Sequence, residues 1–212
     1  MIRRNYRAKI NTDIDEIKKA MENDRQTAED RKAQGRVISA SVYVHEDMLF
    51  LYLETEDETL EPEDIFVNTS KLLKLWPERD GDRAWCYMYP IYWHDIPKDP
   101  ESWRTAEDAP EKKTRRGRIA YLKHDKLFSY VYFHKAIVDE GLLKGDRFQF
   151  IALHEDILFS YFEEPKEFTN IKKSDKESEV IKEWLAVDPE SHFDHELSGK
   201  ENFLLLESIF TI

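Results

Sequence analysis

HEDMLFLYLE, residues 45–54, and HEDILFSYFE, residues 154–163, are nearly the same ten letters written 109 residues apart. In each stretch His-Glu-Asp reads as a tight turn, and the run behind it is almost wholly apolar. Ahead of the first copy, RVISASVYV (36–44) alternates Val, Ile and Ala with Ser and Tyr at a period of two. That pattern predicts a half-buried strand, so 36–54 predicts a β-hairpin turning on HED. DRFQFIAL (146–153) and ILFSYFE (157–163) predict the same hairpin in the second copy.

The flanks repeat as well. In the first half RNYRAKIN (4–11) predicts a strand, and 13–35 is rich in helix formers and closes at Gly35, a natural C-cap. EPEDIFVNTSKLLKLW (61–76) has Pro62 near its start and Ile65, Leu72, Leu73 and Trp76 at helical spacing. AWCYMYPIYW (84–93) predicts a strand, with Pro90 marking an edge or a bulge. The second half offers a strand at 117–122, helices at 124–141 and 174–187, and a final strand at 202–212. Trp76 follows His45 by 31 residues, and Trp184 follows His154 by 30. Shared letters, order and spacing point to one unit written twice.

A β-α-β-β-α-β order is the ferredoxin-like split fold, an antiparallel sheet with helices on one face. The expected class is therefore α+β, in two tandem ferredoxin-like repeats, 1–96 and 117–212. MLFLYLE and ILFSYFE are apolar at nearly every position, so both faces of these strands should be buried. Sheet packed on sheet would do this, as an intrachain pseudo-dimeric α+β barrel. Residues 97–116, with three prolines and mostly polar letters, suit an exposed linker. Its basic end, Lys112, Lys113, Arg115 and Arg116, reads as a solvated tether, with phosphate binding the alternative.

Composition narrows the function. The 212 residues are 41% hydrophobic and 13% aromatic, enough for a core, and global disorder is not expected. With 32 basic and 44 acidic residues the net charge is −12, a field that repels phosphate backbones, so no nucleic-acid partner is expected. Cys86 stands alone, and no cysteine–histidine metal spacing occurs, so neither a disulfide nor a metal is called for. Basic letters at the start have no apolar run behind them, and no stretch reaches the ~20 apolar residues of a membrane helix. The expectation is a reduced, cytoplasmic, acidic globular protein without a cofactor or membrane partner, and a homo-oligomer is left open.

Chemistry is concentrated in the second half. HDKLFSYVYFHKAIVDEG (124–141) puts Tyr130 and His134 four apart on one helix face, beside Leu127, Val131 and Val138. An inward imidazole beside a phenol can move a proton near neutral pH. The same spacing also suits a buried polar pair that only ties helix to sheet. His45 and His154 sit at the two hairpin tips, where turn formation explains the neighbouring Asp47 and Asp156 without a metal. His192 and His195 fall in DPESHFDHELSG, a polar stretch expected to be a solvated loop.

GRIAYLKHDKLFSYVYFH (117–134), then DRFQFIALHEDILFSYFEEP (146–165), then Glu183-Trp184, resembles the L-rhamnose mutarotase family. The likeness lies in the Leu-Lys entry to the helix, the Tyr and His four apart, the Leu-Phe-x-Tyr-x-Glu hairpin, and the later Trp helix. It covers most of 117–212 and, more faintly, 2–96. It implies an enzyme that interconverts the α and β anomers of a rhamnose-like aldose by acid/base proton transfer, without metal or nucleotide. In that reading His134 and Tyr130 are catalytic, His134 as the acid/base and Tyr130 as a hydroxyl-binding partner. Trp184 binds the substrate as a flat surface for the sugar's apolar face. The chain departs from the pattern at His124, where the family has proline, and in the shorter path from the helix to Gly145. Its first half carries Lys18 and Glu22 where Tyr130 and His134 fall, so that half is expected to have lost the site. A non-catalytic carbohydrate-binding or interaction module, or haem-linked oxidation on the same scaffold, stays open beside it.

Overall fold

The computed structural model describes residues 1–109, 112–166, 172–173 and 177–212. In chain order the first elements are β1 (Ile2–Ile10), α1 (Ile14–Ala33), β2 (Val37–His45), β3 (Met48–Thr55), α2 (Val67–Ser70), β4 (Leu73–Lys74) and β5 (Cys86–Trp93). Then come α3 (Pro100–Trp103), β6 (Thr114–Tyr121), α4 (Leu127–Glu140), β7 (Leu143–Lys144), β8 (Phe150–His154) and β9 (Ile157–Glu164). The last are β10 (Lys172–Lys173), α5 (Glu179–Ala186), α6 (His195–Ser198), β11 (Leu204–Leu205) and β12 (Glu207–Thr211). The chain is α+β, and the pairings among these strands are antiparallel. No described helix is long and apolar enough to cross a membrane.

Two compact units make up the chain, and neither is continuous in sequence. Unit one holds Met1–Met88, Pro97–Thr105 and Leu206–Ile212; unit two holds Tyr89–Ile96 and Ala106–Leu205. In unit one the strands run β5-β1-β3-β2-β12, with Cys86–Met88 of β5 paired to Asn5–Arg7. In unit two they run β11-β6-β9-β8-β5, with Tyr89–Trp93 of β5 paired to β8. The first repeat read from the sequence, 1–96, thus takes in Tyr89–Ile96 of unit two, and the second, 117–212, takes in Leu206–Ile212 of unit one.

Both hairpins turn where HED falls. His45 pairs with Met48 and His154 with Ile157, leaving two-residue loops. Glu46 and Glu155 adopt left-handed φ of 52° and 55°, an unusual backbone for residues with a side chain. Each loop also receives a strand end, Ile10 N–H donating to the Asp47 carbonyl and Leu122 N–H to that of Asp156. β3 is buried at all eight positions and β9 from Ile157 through Glu163, as their near-continuous apolar runs require. Inside these runs sit matched polar pairs. Arg3 lies opposite Glu54 and Arg115 opposite Glu163, while Tyr52 and Tyr161 donate their hydroxyls to those same carboxylates.

Several expectations need correction. The helix expected over 61–76 does not form. Glu61 and Asp64 cap a single 3-10 turn at Pro62–Asp64, α2 follows as one short turn, and Leu73–Lys74 is a strand beside Ile10. Asp24 of α1, fully buried, sets where α2 begins. Its carboxylate accepts the backbone and side-chain groups of Asn68 and Thr69 at 2.7–2.8 Å, fixing α2 at its start. Trp76 therefore lies in an extended bridge to Arg83 rather than on a helix.

The linker is not a bare tether either. Trp103 and Arg104 bind the buried Glu54 carboxylate at 3.0 and 2.8 Å, and this pins 97–105 into unit one. Arg115, expected to be solvated, is buried in β6, 3.9 Å from Glu163. The helix expected at 174–187 spans only Glu179–Ala186, where Ser178 caps it by accepting from Ile181 N–H; residues 174–176 lie outside the described residues. The final strand divides at Leu206, β11 pairing with β6 and β12 with β2.

Candidate functional site

α4 forms because LFSYVYFHKAIVDE has no proline or glycine until Gly141, which ends it at a left-handed φ of 66°. Its buried positions are Tyr130, Phe133 and Ile137, one stripe at helical spacing, and His134 lies beside that stripe. The rings of Tyr130 and His134 stack with centroids 3.8 Å apart and planes 16° from parallel. His134 Nδ1 stands 2.9 Å from the Tyr130 carbonyl oxygen. A carbonyl only accepts, so Nδ1 carries a hydrogen and Nε2 is the basic nitrogen of the neutral ring.

Four further segments of unit two surround this pair. Trp184 of α5 turns its ring edgewise to His134 at 5.1 Å and to Tyr130 at 5.7 Å. His192, fully buried, lies 4.7 Å from Trp184, with Nε2 2.9 Å from Ser129 Oγ and Nδ1 3.1 Å from the Asp188 carbonyl. Tyr92 of β5 stands 5.5 Å from His134, also edge to face. Arg118 of β6 lies over the rings of Phe203 and Phe162 at 4.2 and 5.1 Å, and its Nε reaches Ser160 Oγ at 3.4 Å.

Burial sets the electrostatics. Removal from water lowers the His134 pKa from 6.5 to about 4; the bond to the Tyr130 carbonyl opposes this, and the neighbouring His192 adds to it. His134 is therefore neutral at pH 7. Burial raises the Tyr130 phenol well above its ordinary value, with Arg118 pulling the other way, and pushes Tyr92 up to about 12. Neutral imidazole and neutral phenol thus share one aromatic shell. Among the described residues, no protein group hydrogen-bonds the phenol oxygen of Tyr130 or Tyr92.

Of the residues singled out in the sequence, Tyr130, His134 and Trp184 meet in this one cluster. The first-half positions behave differently. Lys18 and Glu22 both face solvent, Lys18 pairing with Glu207 at 2.8 Å and Glu22 with Arg25 at 2.9 Å. The buried face of α1 carries Ile17, Met21 and Asp24 instead, with the Asp24 carboxylate committed to Asn68 and Thr69. Unit one does have a cleft of about 330 Å³ lined by Tyr6, Trp85 and Tyr87, but the acids there, Glu61 among them, come without an imidazole. His45 and His154 sit half-buried at their turns, and among the described residues no three His, Cys, Asp or Glu are placed to hold a metal ion.

Sequence reasoning missed Tyr92 and Arg118 and misjudged His192, expected in a solvated loop. A signal for Arg118 existed in the letters, because it stands inside GRIAYL (117–122), a segment that reads as a strand. For His192 the local letters gave none, since its partner Ser129 lies 63 residues away.

No protein-family profile and no curated protein matches the chain. Two solved structures are similar in outline. One is described as a "putative monooxygenase" from Lactobacillus acidophilus NCFM, 7% identical with a TM-score of 0.44, covering 100% of this chain and 96% of that one. The other is a "putative monooxygenase" from Fusobacterium nucleatum, 9% identical with a TM-score of 0.41, covering 99% and 92%. At such scores and identities the chemistry has to be read from this chain's own residues.

Proposed function

We propose that unit two binds a monosaccharide and interconverts its α and β anomers, with His134 as the proton carrier. The observation that supports this most is the Nδ1–carbonyl bond of His134, which leaves Nε2 as the basic atom of an imidazole kept neutral by burial. In the proposed reaction Nε2 takes the proton from the anomeric hydroxyl as the C1–O5 bond breaks. O5 receives that proton back, giving the open aldehyde. Rotation about C1–C2 exchanges the faces of the carbonyl, and reclosure reverses each step, so no atom or electron is gained or lost. An imidazolium with a pKa near 4 is a strong enough acid to return its proton at once. Tyr130 offers a neutral hydroxyl to the sugar oxygens, and Trp184 an apolar surface beside them.

The same reading takes the two units as copies of one α+β module. Matched left-handed glutamates, matched Arg–Glu pairs and matched strand orders support the duplication.

Exchange NMR on a panel of aldoses tests the activity. Acceleration of α/β exchange over the uncatalysed rate, lost in His134→Ala, is the expected result. Equal rates with wild type, variant and buffer across rhamnose and the panel would overturn it. The low basicity of His134 favours one second reading, a sugar-binding module without catalysis. That reading expects ligand-induced melting shifts that survive His134→Ala, vanish in Trp184→Ala, and come with no faster exchange.

A further inference from the structure

Arg118 is a charged group of unit two that proton transfer leaves unused and no acid pairs with among the described residues. It lies opposite Ser160 on β9, and among the described residues the one hydrogen bond it makes is the long 3.4 Å contact to that hydroxyl. Two aromatic faces, Phe203 and Phe162, flank the guanidinium. Among the described residues no carboxylate pairs with it. Other arginines of this chain show the opposite habit. Arg4, Arg36, Arg104, Arg115, Arg116 and Arg147 each face an acid.

A guanidinium stays charged at any working pH, and Arg118, half-buried, gives up part of its hydration with no counter-charge to offset the cost. Ring faces offset part of that cost but leave most of the planar N–H fork unspent. Arg118 shares its face of β6 with Ala120, which packs in one core cluster with Tyr130, the ring stacked on His134. An uncommitted fork on the sheet face that carries this cluster is suited to a planar anion, which it can hold by two parallel hydrogen bonds.

We infer that unit two takes a carboxylate-bearing sugar, a uronic acid rather than a neutral aldose, with Arg118 holding the carboxylate. The inference rests on the proposed anomer exchange for the sugar scaffold, and on Arg118 alone for the charge. Its chemistry is coherent with that reaction. In a pyranose uronate the carboxylate stands on C5, next to the ring oxygen. Anchoring it orients O5 and C1, the two centres between which the proton must travel.

The test compares galacturonate with galactose and glucuronate with glucose, by exchange NMR and by thermal melting. Wild type, Arg118→Gln and Arg118→Lys are measured, with near-UV circular dichroism confirming each fold. Acceleration for each uronate should exceed that for its neutral parent by about tenfold or more, as expected for a hydrogen-bonded charge pair. Arg118→Gln should bring the ratio close to one, and Arg118→Lys should keep part of it. Should Arg118→Gln fail to fold, the wild-type ratio still decides. Equal acceleration of uronates and neutral sugars overturns the anionic substrate while leaving anomer exchange standing. Uronate melting shifts that need Arg118, without faster exchange of any sugar, uphold the anionic ligand and overturn the catalysis. Neither shift nor acceleration from the uronates overturns the inference outright.

Discussion

Acidification from pH 7 towards 4 is expected to charge His134 in the unfolded chain well before it charges the same ring in the folded protein. The folded ring is enclosed by Tyr92, Tyr130, Trp184 and His192, and burial holds its pKa at about 4 against an ordinary 6.5. Above pH 6.5 the ring is neutral in both states and contributes no pH dependence. Between 6.5 and 4 the unfolded chain binds a proton that the folded one refuses, so stability falls as the pH falls. Below about 4 both states are charged and the loss is complete. Each pKa unit is worth about 1.4 kcal/mol, so the whole interval corresponds to roughly 3 kcal/mol. His134→Phe keeps an aromatic ring against Tyr130 and removes the titration. Urea unfolding of both proteins at pH 7, 6, 5 and 4 measures the difference, and carboxylates that titrate in both largely cancel. Wild type should lose about 3 kcal/mol more than the variant across that range. Parallel curves would refute the enclosed, neutral imidazole.

Three other outcomes follow from the same structure. Asp24→Ala removes the acceptor for two backbone N–H groups and two side chains at the start of α2. It should cost about 3 kcal/mol in chemical denaturation and speed amide exchange at Asn68 and Thr69 first. Trp184→Ala withdraws a half-buried indole from Tyr130, Phe133, His134 and His192. A loss of about 2–3 kcal/mol is expected, with His134 C2–H shifting and its pKa rising towards 6.5 in an NMR titration as water enters. Deleting Leu206–Ile212 strips β12 from β2 and takes Phe210 and Ile212 out of the unit-one core. The melting temperature should drop by many degrees, and light scattering should show association through the bared edge of β2.

How much of this was legible in the sequence varies by element. The hairpins were, because period-two alternation and an apolar run dictate a strand whatever surrounds it. α4 was legible because Gly141 ends it, and the i, i+4 geometry of a helix is enough to bring Tyr130 to His134. The segment 61–76 misled because Ile65, Leu72 and Leu73 at helical spacing report burial, not helix. What fixes the start of the short α2 there is Asp24, 44 residues upstream of Asn68. The sharing of β5 between two sheets, and the break at Leu206, were hidden for a like reason, since strand partners are chosen across long separations. Arg118 is the instructive miss. Local letters show an arginine in a strand, but only the fold reveals that the acids go to its neighbours Arg115 and Arg116.

The central claim is that the imidazole, phenol and indole of unit two face one sugar, and a crystal structure of the protein grown with a saturating aldose or uronate addresses it directly. The account predicts sugar density against Trp184, with the anomeric oxygen within hydrogen-bond reach of His134 Nε2. Density bound elsewhere, or an empty cluster with Nε2 sealed against packed hydrocarbon, would contradict it.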